Sequence, residues 1–221
     1  MERFATSELL DDDLGTAAEI SQSLRDLRRI NAWFGGTWTT RELIRRIAAK
    51  QKLRNLSLLE IGSGAGDVPL AAGDALHKNG IELRVTLLDR VASHLPRNGT
   101  PAVAADALQL PFLDDAFDVV SCNLLAHHFD PDGLLHLVRE ALRVARIAVL
   151  IDDLIRSRLH LALVYAGLPL FRSRITWNDA PASVRQAYTL EEMRGILSAS
   201  GARHVDISRH YLYRMGVLLW K

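Results

Sequence analysis

Leu58-Leu59-Glu60-Ile61-Gly62-Ser63-Gly64-Ala65-Gly66-Asp67, followed by Val68-Pro69-Leu70-Ala71-Ala72, reads as a buried strand, a glycine-rich turn and the opening of a helix. Proline is tolerated in a first helical turn because its missing N–H has no intrahelical partner there. Glycines at 62, 64 and 66 let the chain turn sharply and let a ligand lie against the main chain, with helix N–H groups aimed at it. The spacing is G-x-G-x-G, with Glu60 two residues before the first glycine; the dinucleotide fingerprint G-x-G-x-x-G would need its third glycine where Asp67 stands.

Outward from this turn, strands and helices alternate. Ser57–Ile61 is followed by helix Asp67–Lys78, stopped by Asn79-Gly80. A strand over Glu82–Leu88 ends in Asp89, and a short helix over Val91–Leu95 breaks at Pro96. Ala102–Ala105 ends in Asp106. Phe117–Asn123, helix Pro131–Val144 and strand Ile147–Ile151, which runs into Asp152-Asp153, complete the series. Repeated strand–helix–strand units with near-continuous apolar strands predict an α/β fold, a Rossmann-like doubly wound and mostly parallel sheet. In such sheets ligands bind outside the C-terminal strand ends, and those ends carry Glu60, Asp89, Asp106, Asn123 and Asp152.

N-terminal to this core, Ser7–Asp13 is acidic, and Ile20, Leu24, Leu27 and Ile30 mark one face of a helix stopped near Gly35-Gly36. A second helix is expected from Thr40 to Lys52, capped by Thr39 or Thr40. Beyond the core, residues 154–188 break the alternation and read as an inserted cap with its own helix. Thr189-Leu190-Glu191-Glu192 is a capping signature for a helix over 191–199. The last two strands, near 204–209 and 212–220, form an antiparallel pair. The expected organisation is one domain: helical segment 1–54, ligand-binding core 55–153, cap 154–188, and closing helix and strand pair 189–221.

The chain has 221 residues, 48% hydrophobic and 24% charged, with a formal net charge of +1. That balance gives no reason to expect nucleic acid as a partner. The lone Cys122, in an apolar run, reads as a core residue. No stretch is long and apolar enough to span a membrane, and Met1–Phe4 lacks a signal-peptide core, so the expected location is the cytoplasm.

The variant E-I-G-S-G-A-G resembles motif I of the class I S-adenosylmethionine (SAM)-dependent methyltransferases. The segment Ala105-Asp106-Ala107-x-x-Leu110-Pro111-Phe112-x-Asp114-x-x-Phe117-Asp118 resembles the stretch around that family's third and fourth strands. The likeness covers residues 55–152 best and fades over the cap. It implies SAM as methyl donor, S-adenosylhomocysteine as product, and a seven-stranded sheet with an antiparallel last strand. Glu60, Gly62, Ser63, Gly64 and Gly66 would hold the donor. Asp89 with Arg90 would meet the ribose, Asp106 and Ala107 the adenine, and Asn123 and Leu124 the floor of the site.

On the acceptor side, His127 and His128 are candidates for a general base because imidazole titrates near neutrality. His127 is preferred slightly, with a base elsewhere, or none, as the remaining alternative. Asp153, Arg156, Arg185 and Tyr188 are candidate acceptor contacts, and no metal is expected. The wider likeness is to bacterial methyltransferases that accompany type III polyketide synthases and, further off, to ubiquinone/menaquinone-type enzymes. It implies secondary metabolism and a small hydroxylated aromatic, quinone-like or polyketide-derived acceptor, methylated at oxygen. The apolar run Leu159–Phe171 is compatible with an apolar acceptor, and Asn31, Trp33 and Phe34 would close over the donor. C-methylation of a quinol ring is the alternative within the class. Outside it stand an NAD(P)-dependent oxidoreductase and a non-catalytic SAM-binding protein. The chain is expected to be a monomer or homodimer.

Overall fold

The computed structural model describes residues 1–10 and 14–221. Asp11, Asp12 and Asp13 of the acidic N-terminal stretch lie outside the described residues. Seven strands form one sheet: β1 (Asn55–Ile61), β2 (Glu82–Asp89), β3 (Ala102–Ala104), β4 (Phe117–Asn123), β5 (Ala145–Leu154), β6 (His204–His210) and β7 (Arg214–Trp220). Their order is β3-β2-β1-β4-β5-β7-β6. The first five run parallel, and β7 is antiparallel to both β5 and β6. From β1 the chain winds one way through β2 to β3, then crosses back to β4 on the other side of β1. The switch point therefore lies between β1 and β4, where doubly wound sheets open a crevice for ligands.

Helices α1 (Ala17–Trp33), α2 (Gly36–Gln51), α3 (Asp67–His77), α4 (Pro131–Val144), α5 (Arg158–Gly167), α6 (Arg174–Gln186) and α7 (Leu190–Leu197) surround the sheet. On one face Leu134, Leu137, Val138 and Ala141 of α4, with Met193 and Leu197 of α7, bury against Leu59, Ile61, Val120 and Ile151. On the other, Leu43, Ile44 and Ile47 of α2, with Leu76 of α3, cover Leu56, Leu58, Val119 and Leu150. At about 1.5–3 kcal/mol for each fully buried large aliphatic side chain, these two layers fix the strand ends that frame the site.

The capping chemistry sets most helix starts. Thr16 and Glu19 form a capping box on α1, Thr189 and Glu192 one on α7, and Asp130 caps α4 ahead of Pro131. α2 departs from expectation. It begins at Gly36, one turn earlier, because Gly35 at φ +86° turns the chain directly from α1 into α2. Thr39 and Thr40 are consequently buried inside the helix rather than capping it. Residues 91–95 form turns, not the expected short helix; Asp89 takes the Val91 N–H at 2.9 Å and holds the segment as a turn. The cap holds two helices, α5 and α6, rather than one.

Candidate active site

The glycine turn leaves β1 with Gly62, Gly64 and Gly66 all at positive φ, +64°, +49° and +76°, a region side-chain-bearing residues occupy at a cost. A Cβ at Gly62 would meet Leu125 at 2.9 Å, and one at Gly66 would meet Leu87 at 2.6 Å. The turn is therefore shaped for glycine by packing as well as by backbone. Asp89, at the end of β2, accepts the Gly64 N–H at 2.7 Å on one oxygen and the Val91 N–H on the other, which ties the turn to the neighbouring strand.

A cavity of about 530 Å³ opens at the β1/β4 switch point, within the roughly 300–1,000 Å³ typical of small-molecule sites. It is lined on the sheet side by Glu60, Gly62, Ser63, Gly64, Asp89, Arg90, Asp106, Ala107, Asn123 and Leu124. All but one of the expected donor-binding residues thus meet in a single space. Gly66, the exception, stands behind it at the start of α3. Leu124 adopts a left-handed conformation, φ +52°, and its N–H bonds to the Asp152 carbonyl at 2.9 Å. Strain of this kind, about 1–3 kcal/mol, redirects the chain so that Asn123 and Leu125 both reach the cavity region.

Beneath the floor runs a buried polar chain. Ser121 and Asn123 donate to Glu60, the latter at 2.7 Å. Thr40 donates to Asn123 at 2.6 Å and lies 3.0 Å from Asp152. Arg214 lies 3.4 Å from Asp152 and donates to Asn31 at 2.5 Å. Burial pushes the carboxyls of both Glu60 and Asp152 up to about 7, against the opposing pull of Ser121 and Asn123 on the first and of Arg214 and Thr40 on the second.

The two histidines sit on a 3₁₀ turn, Ala126–His128, directly after β4, with ring centroids 4.2 Å apart. Both line the cavity, and His127 is buried. Its Nδ1 is 2.7 Å from Asp153 Oδ1, and its backbone N–H donates to Asp153 Oδ2 at 3.0 Å. Its Nε2 lies 3.5 Å from Glu8 Oε1. Burial would lower the His127 pKa, but Asp153 first and Glu8 second overcome it and hold the value at about 10. The same contact holds Asp153 below its ordinary value despite burial. Glu8, His127 and His128 each bring a potential metal-ligand atom to within 4.8 Å of the others. A His127 ring protonated on both nitrogens between two carboxylates, however, has no lone pair to offer an ion.

Glu8 was not legible as a site residue from the sequence. It is buried, accepts from Ser183 Oγ at 2.7 Å and from Gln186 Nε2 at 2.9 Å, and belongs to an N-terminal strap laid over α6. Arg3 clamps that strap to the carbonyls of His127, Phe129 and Gln186, and Asp179 accepts the N–H groups of Leu9 and Leu10 at 2.9 and 3.0 Å. Thr6, Ser7 and Glu8 of the strap, with Thr176, Asp179 and Ser183 of α6, give the cavity a polar wall opposite the sheet.

Several expected contacts lie elsewhere. Tyr188 donates to the Phe129 carbonyl at 2.8 Å under the Arg3 guanidinium. Arg156 binds the carbonyls of Met1 and Ala187 and pairs with Glu192 at 2.6 Å. Arg185 donates to the Tyr165 hydroxyl at 2.6 Å. None of the three lines the cavity, and Asp153 meets it only through His127. The physical reason is that α6 ends at Gln186 and Ala187 is extended, ψ 152°, so Arg185 and Tyr188 do not share a helix face. The apolar run 159–171 contributes no lining residue either. Trp33 is exposed on the outside; Ser23, Leu24, Leu27, Arg28, Ile30 and Asn31 are the α1 residues that face the cavity.

The strand order, with its antiparallel β7, and a glycine turn facing an acid at the end of β2 define a class I methyltransferase fold. Residues 59–148 match the family model described as a methyltransferase domain. An uncharacterized methyltransferase of Bacillus subtilis (strain 168), YcgJ, is 29% identical over 159 residues, 69% of this chain; the alignment spans 59% of that relative's length. The plantazolicin methyltransferase BpumL, solved with a pentazolic desmethylPZN analog and S-adenosylhomocysteine, superposes with a TM-score of 0.70 at 13% identity, covering 96% of this chain and 94% of that one. Magnesium protoporphyrin IX methyltransferase (ChlM) from Synechocystis PCC 6803, with bound S-adenosylhomocysteine, superposes at 0.55 with 16% identity, covering 85% and 83%. The chain has the fold of the SAM-dependent methyltransferases, and its residues 59–148 match their methyltransferase domain. No helix among the described residues is long and apolar enough to cross a membrane.

Proposed function

We propose that this protein transfers a methyl group from SAM to a hydroxyl oxygen of a small aromatic or polyketide-derived acceptor, with His127 as the base that takes the hydroxyl proton. One observation carries the reading. The glycine turn with Asp89 and the Asp153–His127 pair open onto the same cavity.

The residues present fit the donor. Glycines at positive φ would admit it against the main chain, and Asp89 and Asp106, both on the cavity wall, would meet its ribose and adenine. Among the lining residues Glu8, Asp67, Asp89, Asp106 and Asp179 outnumber Arg28 and Arg90, an acid excess suited to a sulfonium cation. When bound, SAM supplies a methyl group already activated for in-line displacement. The protein's own work is then positional and protolytic. The sheet edge and the polar wall of strap and α6 hold the acceptor and exclude water, a contribution on the order of 7–11 kcal/mol when geometry is right. As the acceptor oxygen takes the methyl, its proton passes to Nε2 of His127 in the fraction of molecules whose ring is unprotonated there. Asp153, already bonded to Nδ1, neutralises the imidazolium that results. A positioned base of this kind contributes about 10²–10⁴-fold. The polar wall favours an acceptor that presents hydroxyl or carbonyl groups to Glu8, Ser183 and Gln186 rather than a wholly apolar one.

Thermal shifts with SAM, S-adenosylhomocysteine and NAD, followed by mass-spectrometric screening of a phenol panel with SAM, test this. A SAM shift and mono-methyl ethers are expected. A shift with NAD and none with SAM would remove the methyltransferase reading, and C-methylated products would redirect the acceptor chemistry to a ring carbon.

A further inference from the structure

We infer that α5 and the aromatic corner beside it form a face that docks onto an anionic lipid bilayer surface. The observation is a mismatch between sequence and burial. In α5, Arg158-Leu159-His160-Leu161-Ala162-Leu163-Val164-Tyr165-Ala166-Gly167, all but three residues are apolar or aromatic. A helix apolar nearly all round belongs in a protein core or against lipid. Yet His160 is its one buried residue, while Leu159 is 60% exposed, Leu163 47% and Tyr165 47%. Leu159, Leu163 and Ala166 recur at four and three residues, on one stripe of the helix. Leu170, 60% exposed, and Trp177, 48%, extend the patch onto the next turn and α6.

Exposed aromatic residues also lie beyond the buried side of α5. His160 stacks on Tyr213 with centroids 5.0 Å apart, and Tyr211, two residues earlier and exposed, packs beside Gly35 at the α1–α2 corner. Trp33 and Trp38 flank that corner and are exposed. Exposed leucines with tryptophan and tyrosine at the margins are the side chains that partition into the headgroup boundary.

Charge decides the occupant. From residue 154 to residue 178 there are four arginines and no aspartate or glutamate; Arg156 and Arg174 pair with Glu192 and Glu19, while Arg158 and Arg172, at the two ends of the α5 region, are exposed. Two exposed arginines thus flank the exposed apolar stripe of α5, with no acidic residue in the segment between them. That combination complements an anionic bilayer, where basic residues add to the apolar contribution. The inference stands whether or not the proposed methyl transfer is correct.

The test is co-sedimentation of the full chain with phosphatidylglycerol/phosphatidylcholine vesicles and with phosphatidylcholine alone, alongside tryptophan emission and light scattering. Binding to the anionic vesicles, a blue shift from Trp33, Trp38 and Trp177, and a monomer in solution are expected. The pair L159S/L163S should weaken vesicle binding on the order of tenfold or more, given two lost leucine insertions, with an unchanged melting temperature. R158E/R172E should weaken binding to anionic vesicles alone. Absence of vesicle binding would overturn the inference, as would binding indifferent to the serine pair. So would a dimer that the serine pair converts to monomer, since the face would then join two copies of this chain.

Discussion

Asp153 holds His127 by two bonds at once, Oδ1 to the ring Nδ1 at 2.7 Å and Oδ2 to the backbone N–H at 3.0 Å. The first fixes which ring nitrogen faces the cavity; the second fixes where the 3₁₀ turn carries it. β5 and β4 are hydrogen-bonded neighbours, with Asn123 opposite Asp152. Asp153 is therefore fixed by β5, and through its two bonds it positions His127 on the 3₁₀ turn that follows β4.

His127→Ala should accordingly leave SAM affinity within a few-fold while lowering methyl transfer by ~10²-fold or more. Asp153→Asn should lower kcat by a smaller factor, since the imidazole remains but loses the charge that stabilises its protonated form. Calorimetric SAM binding and initial rates read the two quantities separately. Unchanged turnover in His127→Ala would dismiss the residue and leave His128, which lines the same cavity, as the base to examine.

The pH dependence has a definite sign. Between Asp153 and Glu8, His127 keeps its proton up to about 10, so the unprotonated base grows as pH rises. The rate below saturation should climb through neutrality into the alkaline range. Glu8→Gln removes one of the two anions that raise the pKa, so its profile should move to lower pH and its relative rate at pH 7 should increase. If Glu8 were itself the proton acceptor, the same substitution would depress the rate at every pH.

Asp89 is bonded through both oxygens to main-chain N–H groups, of Gly64 and Val91. Asp89→Asn places an amide hydrogen against one of those donors and removes the charge offered to ribose hydroxyls. A hydrogen bond to a charged group is worth about 1.5–3 kcal/mol, so SAM affinity should fall by ~10-fold or more with kcat at saturating SAM largely kept. An unaltered dissociation constant would restrict Asp89 to shaping the turn.

The core of the fold was legible because its signals are local. Apolar strands, Asn79-Gly80 and the acids at strand ends lie within a few residues of what they determine, and the glycine turn announces itself by spacing alone. The acceptor side was not, because it is assembled across the chain. Glu8 meets Gln186 and Ser183, some 175 residues away, and no periodicity encodes that meeting. Arg156, Arg185 and Tyr188 look functional in sequence, being polar residues in an otherwise apolar cap. In the structure their polar atoms satisfy carbonyls, Glu192 and the Tyr165 hydroxyl. Thr39 and Thr40 misled for a similar reason, since a threonine pair before an apolar run is a capping signal unless a glycine upstream starts the helix sooner.

Tyr188 gives a contrast with His127. Its hydroxyl donates to the Phe129 carbonyl at 2.8 Å, an acceptor shared with Arg3 at 2.7 Å, so Tyr188→Phe deletes a structural bond. A cost of about 1 kcal/mol is expected, or ~2–4 °C in melting temperature for a chain of this size, with kcat within about twofold. A raised KM without loss of stability would return Tyr188 to the acceptor contacts.

Glu60 supplies the last test, of stability rather than rate. Burial raises its carboxyl to about 7, against the bonds from Ser121 and Asn123, whereas in the unfolded chain it titrates near its ordinary 4.5. Because the folded value is the higher, its favourable contribution is complete below 4.5 and is lost as pH rises through 7. Glu60→Gln can keep both neighbours: its carbonyl accepts from Asn123 Nδ2, and its amide donates to Ser121 once that hydroxyl rotates. The variant should therefore gain stability relative to the parent as pH goes from 5 to 8, read from denaturant midpoints at each pH. The Asp152 carboxyl, also raised by burial, is unaltered in the variant and should preserve a residual slope of the same sign. Parallel curves for parent and variant would mean that Glu60 is ionised throughout, its charge held by the polar floor rather than by a proton.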